Sequence, residues 1–304
     1  MSEEIRQAEE AGLVFSEDKK TLLDCGNNER ITEAVIPSGV TAIGPRAFAG
    51  CTALTGVTLP ETVTVIGERA FAGCSALTEV TLPSGVGEIG ECAFMDCSEL
   101  AELTIPAAVC EIGGGAFAGV HRVLSDNKRF SLDPSGVLFD TETHTLLYAP
   151  RALSGYYFVP AGILRIGTLA FAYCASLRSA NLSVGVMTIR ESAFFECSEL
   201  VAVAIPTSVI TIEYGAFLKC VKLAGVIIPA EVTEIPESAF EGCAALAEVI
   251  IPDSVTSLGG WAFAGCTALT EVTLPDSITS ACSDAFEGAG CEEQVKRDYP
   301  EFFA

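Results

Sequence analysis

Thirteen cysteines and two histidines are the residues through which this chain could do covalent or metal chemistry. A thiol beside an imidazole can act as a nucleophile, and clustered cysteines can form disulfides or hold zinc. Their spacing points elsewhere. Cys51, Cys74, Cys97, Cys174, Cys197, Cys220, Cys243 and Cys266 each stand three residues after the phenylalanine of an Ala-Phe dipeptide. Val120 and Ala289 take the same slot elsewhere, so it asks for a small apolar side chain, which cysteine supplies as a compact hydrophobe with a weak donor. Side chains repeated in one column point the same way, which suits disulfide geometry poorly. These thiols are expected to be reduced and structural. Cys25, Cys92, Cys110, Cys282 and Cys291 show no C-x-x-C spacing, and His121 and His144 both lie in an irregular middle stretch. No zinc site is expected. A Cys–His enzyme would need a fast-alkylating thiol beside one of those histidines. There is no P-loop, no His-Glu-x-x-His and no EF-hand loop. Gly113-Gly114-Gly115 lacks the strand–helix context of a phosphate site, and no carboxylate spacing is dense enough for calcium. The expectation is no catalysis and no cofactor.

The dipeptides that carry the cysteines reveal what positions them. Phe recurs at 48, 71, 94 and 117, then at 171, 194, 217, 240, 263 and 286, every step being 23 except one of 54. A fixed short period marks a solenoid, whose coils cannot bury their apolar faces alone. One coil reads Leu77-Thr78-Glu79-Val80-Thr81-Leu82, a short β-branched segment with alternate residues inward, as a parallel strand requires. Pro83 ends it, and Pro37, Pro60, Pro106, Pro160, Pro206, Pro229, Pro252 and Pro275 do the same, with Ser183 the one replacement. A second inward pair follows, such as Val63 with Ile66. Gly44, Gly67, Gly90, Gly113, Gly167 and Gly259 come next and are read as turn residues. Ala-Phe then makes a short helical turn, with the ring filling the interior.

The composite pattern C-x-x-L-x-x-V-x-L-P-x-x-V-x-x-I-G-x-x-A-F, spanning about Gly12 to Ala289, resembles the BspA-like or treponemal class of leucine-rich repeats. The resemblance implies an α/β repeat solenoid. It is a right-handed coil with a parallel sheet on its concave face and short helical turns and strands on the convex side. It also implies a bacterial surface protein with an adhesin-like role toward host proteins. The opening Met1-Ser2-Glu3-Glu4-Ile5-Arg6 is polar and acidic and predicts no secretory signal peptide, which by sequence would be cytoplasmic. No apolar run is long enough for a transmembrane helix.

The long step holds Gly136 to Leu147, which aligns without a gap with Gly12 to Leu23; each reads as two short strands around a polar turn. The expected layout is a hairpin cap and first repeat segment over 1–125. An inserted β-hairpin, second segment and C-terminal cap follow over 126–304. Residues 2 to 11 suit a short helix, marginal alone. Tyr299, Phe302 and Phe303 are expected to cover the last coil.

A net charge of −23 argues against nucleic acid and anionic membranes, which need clustered cations. Outward positions of the first segment are rich in threonine. In the second, Tyr156, Phe158, Val201, Ala204, Ile227 and Ile250 are expected to merge into an apolar strip, since adjacent strands lie about 4.8 Å apart. Such a patch marks an interface. The expected function is therefore a non-enzymatic module binding another protein on the concave face, with self-association as a structural scaffold the alternative.

Overall fold

The computed structural model describes residues 2–26 and 30–303, the side chain of Phe303 excepted. The chain forms two compact units, Met1–Thr141 and Glu142–Ala304. The antiparallel pair Phe130–Leu132 and Leu138–Asp140 falls within the first of these.

The first unit opens with helix α1 (Glu3–Glu10), capped by Ser2, whose hydroxyl accepts from the Ile5 amide at 3.3 Å. Its buried Ile5 and Ala8 face the unit, and Glu4 accepts from the Ser38 hydroxyl (2.6 Å) and amide (3.0 Å). Those bonds hold the Glu4 carboxyl below its ordinary range. Strands Val14–Phe15 and Thr21–Asp24 pair antiparallel, as expected of the first hairpin. From Leu22 a parallel ladder runs in register through Ile43, Ile66, Ile89 and Ile112. A second ladder pairs Glu33–Val35, Gly56–Thr58 and Glu79–Val80, and further on Leu103–Ile105 with Val123–Ser125.

Eight of the nine repeat prolines, all but Pro160, turn the chain through their carbonyl at a place where the missing N–H is harmless. The Pro60 carbonyl accepts from Val63 at 3.1 Å, Pro83 from Val86 at 3.1 Å and Pro229 from Val232 at 3.0 Å. The Ala-Phe segments form the expected turns through three-residue bonds, such as Cys51 amide to Phe48 carbonyl at 3.1 Å. They do not run on into helix, because left-handed residues bracket them: Arg46 (φ 59°) and Gly50 (φ 73°), then Arg69 and Gly73, then Cys92 and Asp96. Their amides reach the next coil instead, Phe48 to the Ala70 carbonyl at 2.7 Å and Phe71 to Ala93 at 2.8 Å. The turns thus make a third row of inter-coil bonds.

The glycines expected at turns do open them, the Gly67 carbonyl accepting from Ala70 at 3.2 Å and Gly90 from Ala93 at 3.3 Å, and they have a second role. Gly67 and Gly90 are not left-handed. A Cβ on Gly67 would stand 2.7 Å from the Pro45 nitrogen, and one on Gly90 would stand 2.5 Å from the Glu68 nitrogen. They permit close approach of coil backbones.

Inside, Phe48, Phe71, Phe94 and Phe117 stack with centroids 5.2, 5.1 and 6.4 Å apart. The unit ends on side chains that imitate a further coil. The Asn127 amide donates to the Val109 (2.6 Å) and Ala107 (3.1 Å) carbonyls. Arg129 makes a two-pronged pair with the buried Asp140 (2.9 and 2.7 Å) and donates to the Cys110 carbonyl at 2.9 Å.

In the second unit the short ladder begins at Thr145–Tyr148 and passes in register through Ile166, Ile189 and Ile212. Glu234–Ile235, Ser257–Leu258 and Ser280–Ala281 form a further set. The long strands are Ser154–Phe158, Ser176–Asn181 and Ala202–Ala204, then Gly225–Ile227 and Glu248–Ile250. Phe171, Phe194, Phe217, Phe240, Phe263 and Phe286 stack at 4.9 to 5.4 Å. Helix α2 (Glu292–Asp298) closes this unit. Gln294 accepts from the Val272 amide and donates to its carbonyl, both at 3.1 Å. Tyr299 accepts from the Leu274 amide at 3.0 Å, with Phe302 stacked on its ring at 6.1 Å. These contacts occupy alternate positions of the last strand segment, as a neighbouring strand would. The expectation for Phe303 lies outside the described side chains.

Candidate interaction surface

The long strands alternate, so each sends one set of side chains inward and the other to solvent. Buried Leu177 and Ala180 lie beside exposed Arg178 and Asn181. All six residues of the expected strip are exposed, from 76% for Tyr156, 69% for Phe158 and 66% for Ile227 to 49% for Ile250 and 46% for Val201. Ala204 is exposed with them.

Register decides which of them meet. Phe158 pairs with Asn181, Asn181 with Ala204, and Ile227 with Ile250. A polar Asn181 therefore separates Phe158 from Ala204. Tyr156 stands two residues along its strand and pairs with Ser179, which pairs with Ala202. Val201 lies just outside its strand; its amide donates to the Arg178 carbonyl and its carbonyl accepts from Ala224. The surface is accordingly two patches. One is aromatic, Tyr156 with Phe158. The other is aliphatic, Ala202 and Ala204 followed by Ile227 and Ile250. Beyond Ile250 a shallow groove carries Glu248, Asp253 and Glu271 among Thr270 and Thr273.

Sequence reading passed over other exposed apolar residues in this unit. Met187 and Ile210 lie in successive coils, joined by the bond from the Ile210 amide to the Met187 carbonyl at 2.9 Å, and Val184 stands out nearby in the chain. The 23-residue spacing of Met187 and Ile210 was the available signal. In the first unit the equivalent outward row is Val35, Thr58 and Thr81, beside Glu33 and Glu79, and the only large apolar member is the exposed Val35.

The cysteine column has its own geometry. The Cys74 thiol donates to the Phe48 carbonyl at 3.0 Å, Cys97 to Phe71 at 3.2 Å, Cys197 to Phe171 at 3.0 Å, and Cys220, Cys243 and Cys266 continue the series. Each thiol thereby gives a carbonyl of the preceding coil a second donor beside the backbone amide that closes its turn. Burial pushes Cys74, Cys174 and Cys266 up to about 12, away from the nucleophilic thiolate. His121 turns to the Ser98 carbonyl at 2.8 Å, and His144 occupies a left-handed turn position. Both histidines are exposed, whereas the thiol column is buried. Among the described residues no three His, Cys, Asp or Glu side chains converge as metal ligands, and no helix is long and apolar enough to cross a membrane.

Comparison with known proteins places this coil. The model of the BspA type leucine rich repeat region matches in six copies over residues 24–126 and 164–292. Among curated proteins none matches the chain. A leucine-rich repeat protein from Eubacterium ventriosum is 24% identical with a TM-score of 0.68, covering 89% of this chain and 88% of its own. A leucine rich cell surface protein from Faecalibacterium prausnitzii is 24% identical with a TM-score of 0.56, covering 92% and 90%. The pneumococcal vaccine antigen PcpA is 17% identical with a TM-score of 0.54, covering 94% and 79%. Repeats of this type build interaction and scaffold solenoids and are typically non-enzymatic. Its period, its stacked coils and the extent of the family match show that the chain belongs to the BspA-type leucine-rich repeat family.

Proposed function

We propose that this chain is a non-enzymatic binding module that captures a partner protein on the outward face of the long strands in its second unit, the face expected to be concave. The observation that carries the reading is the in-register pair Ile227 and Ile250, exposed at 66% and 49% on a rigid ladder. Solvent-facing isoleucines one and two 23-residue periods after Ala204 make an apolar centre, and Tyr156 with Phe158 offers aromatic anchors of the kind that dominate interface energy. Glu248, Glu271 and Asp253 rim it with negative charge. The partner therefore presents apolar side chains flanked by lysine or arginine, which the net charge of −23 steers toward this face. The same charge makes two copies repel, which disfavours the scaffold alternative. An adhesin-like role is the biological setting this reading suggests.

The test is affinity capture from native cells and from host matrix proteins, comparing the intact chain with Ile227→Ser/Ile250→Ser at unchanged circular dichroism. A partner held by the intact chain should be lost by the variant, with weaker binding at high salt. Identical captured sets would refute the site. Concentration-dependent dimers in light scattering, abolished by the same substitutions, would transfer the face to self-assembly.

A further inference from the structure

One cysteine of the column breaks its rule. Along the column each thiol reaches back 26 residues to the carbonyl of a phenylalanine, as Cys74 reaches Phe48. For Cys51 that step lands on Cys25, which stands one 23-residue period before Phe48 and so takes the phenylalanine position of the hairpin cap. The second unit fills the equivalent place, one period before Phe171, with Tyr148, and Cys174 there approaches the carbonyls of Pro150 at 3.5 Å and Ala149 at 3.8 Å. Cys25 has no ring to occupy that space. Its sulfur meets the Cys51 sulfur at 2.7 Å, both residues being buried.

Two thiols rarely pack so closely. The two are free thiols in this structure, and their separation lies well inside an ordinary nonbonded sulfur contact while still longer than the ~2.0 Å of a covalent S–S bond, so a small approach would close it. Parallel orientation, which argues against disulfides within the cysteine column, does not apply, because the two side chains come from different rows and face one another.

We propose that Cys25 and Cys51 are a disulfide site, a clamp that locks the N-terminal hairpin onto the first coil when the protein meets a disulfide oxidant. The chemistry is thiol–disulfide exchange with a small-molecule disulfide such as oxidised glutathione. One cysteine, as thiolate, attacks the oxidant, forms a mixed disulfide and expels one glutathione thiolate. The second cysteine, as thiolate, attacks the protein sulfur of the mixed disulfide and expels the other. One S–S bond forms and one breaks; the protein pair gives up two electrons and two protons, and the oxidant becomes two thiols. The bond closes a loop between residues 26 apart and ties strand Thr21–Asp24, where the short ladder begins, to the turn that carries Phe48. Burial raises the Cys51 thiol, so the exchange runs during folding or when the cap opens, and the finished bond is shielded from reductant.

The experiment refolds the full chain in a glutathione redox buffer, alkylates it with N-ethylmaleimide in denaturant and weighs it intact. Eleven adducts are expected in place of the thirteen of a fully reduced sample, with peptide mapping joining the Cys25 and Cys51 peptides. Reductant should then lower the melting temperature of the wild type and accelerate proteolysis of the hairpin. Cys51→Ala, a residue the column already accepts at Ala289, should show neither response. Thirteen adducts after oxidative refolding, or a linkage that omits either cysteine, would overturn the proposal.

Discussion

Shortening one phenylalanine of the second unit should cost stability according to its place in the stack. Phe217 lies between Phe194 and Phe240 at 5.1 and 5.3 Å, with rings within 8° of parallel. Phe286, at the end of the row, has its ring partner on one side, Phe263 at 5.2 Å. Replacing either with leucine keeps most of the apolar burial and removes the aromatic pairing, worth about 0.5–1.5 kcal/mol per pair beyond area. Phe217→Leu should therefore lose roughly 1–3 kcal/mol and Phe286→Leu about half of that, before a shared packing penalty of about 1 kcal/mol. Coupling to the neighbouring coil has the same sense, because an interior coil shares two interfaces and a terminal coil one. The assay is urea unfolding followed by far-ultraviolet circular dichroism for the whole chain. Fluorescence of Trp261, the single tryptophan, reports on the last coils, where its indole N–H donates to Glu287 at 3.0 Å. A Phe217→Leu/Phe240→Leu double substitution should fall short of the sum of its parts by about 0.5–1.5 kcal/mol, the pair they share. Equal losses at Phe217 and Phe286, with strict additivity of the double variant, would show that the rings act only as bulk and would refute the reasoning.

Three further outcomes are expected. In the folded chain iodoacetamide should modify the exposed Cys110 and Cys282 first, while Cys74, Cys174 and Cys266, pushed to about 12, stay unmodified across neutral pH; mass spectrometry reads the order. Arg46→Gly should stabilise the first unit by about 1 kcal/mol, because an exposed non-glycine residue at φ 59° is strained and Gly115 and Gly215 stand at equivalent positions; a lower urea midpoint would contradict this. Gln294→Ala strips both bonds from Val272 and should cost about 1–3 kcal/mol, with faster amide exchange at Val272 as the local sign.

What could be read in advance was whatever repeats. The phenylalanine row, the proline turns and the cysteine slot each recur every 23 residues, and periodicity forces equivalent environments. Gly67 and Gly90 are periodic too and do open turns, yet spacing reveals that a side chain is forbidden without telling whether torsion or a neighbouring backbone forbids it. The devices that close the units occur once. Asn127, Arg129 with Asp140, and Gln294 imitate a missing coil by polar groups whose partners lie 11 to 22 residues away in the chain, so no local pattern marks them. Tyr299 was recognised as a covering aromatic, but the hydroxyl bond to Leu274 was not. The apolar strip was legible residue by residue, whereas its division at Asn181 follows from pairing that only register fixes.

The three bond rows also govern how either unit bears mechanical load. Bonds such as those from the Phe217 amide to the Ala239 carbonyl, the Glu213 amide to the Ile189 carbonyl and the Leu182 amide to the Ala204 carbonyl all span consecutive coils, so tension applied at a terminus concentrates on one junction at a time. Rupture then spreads stepwise from the pulled end, each coil paying out its 23 residues as roughly 80 Å of slack. Stretched in this way the chain behaves as a shock absorber with a repeated, modest yield point.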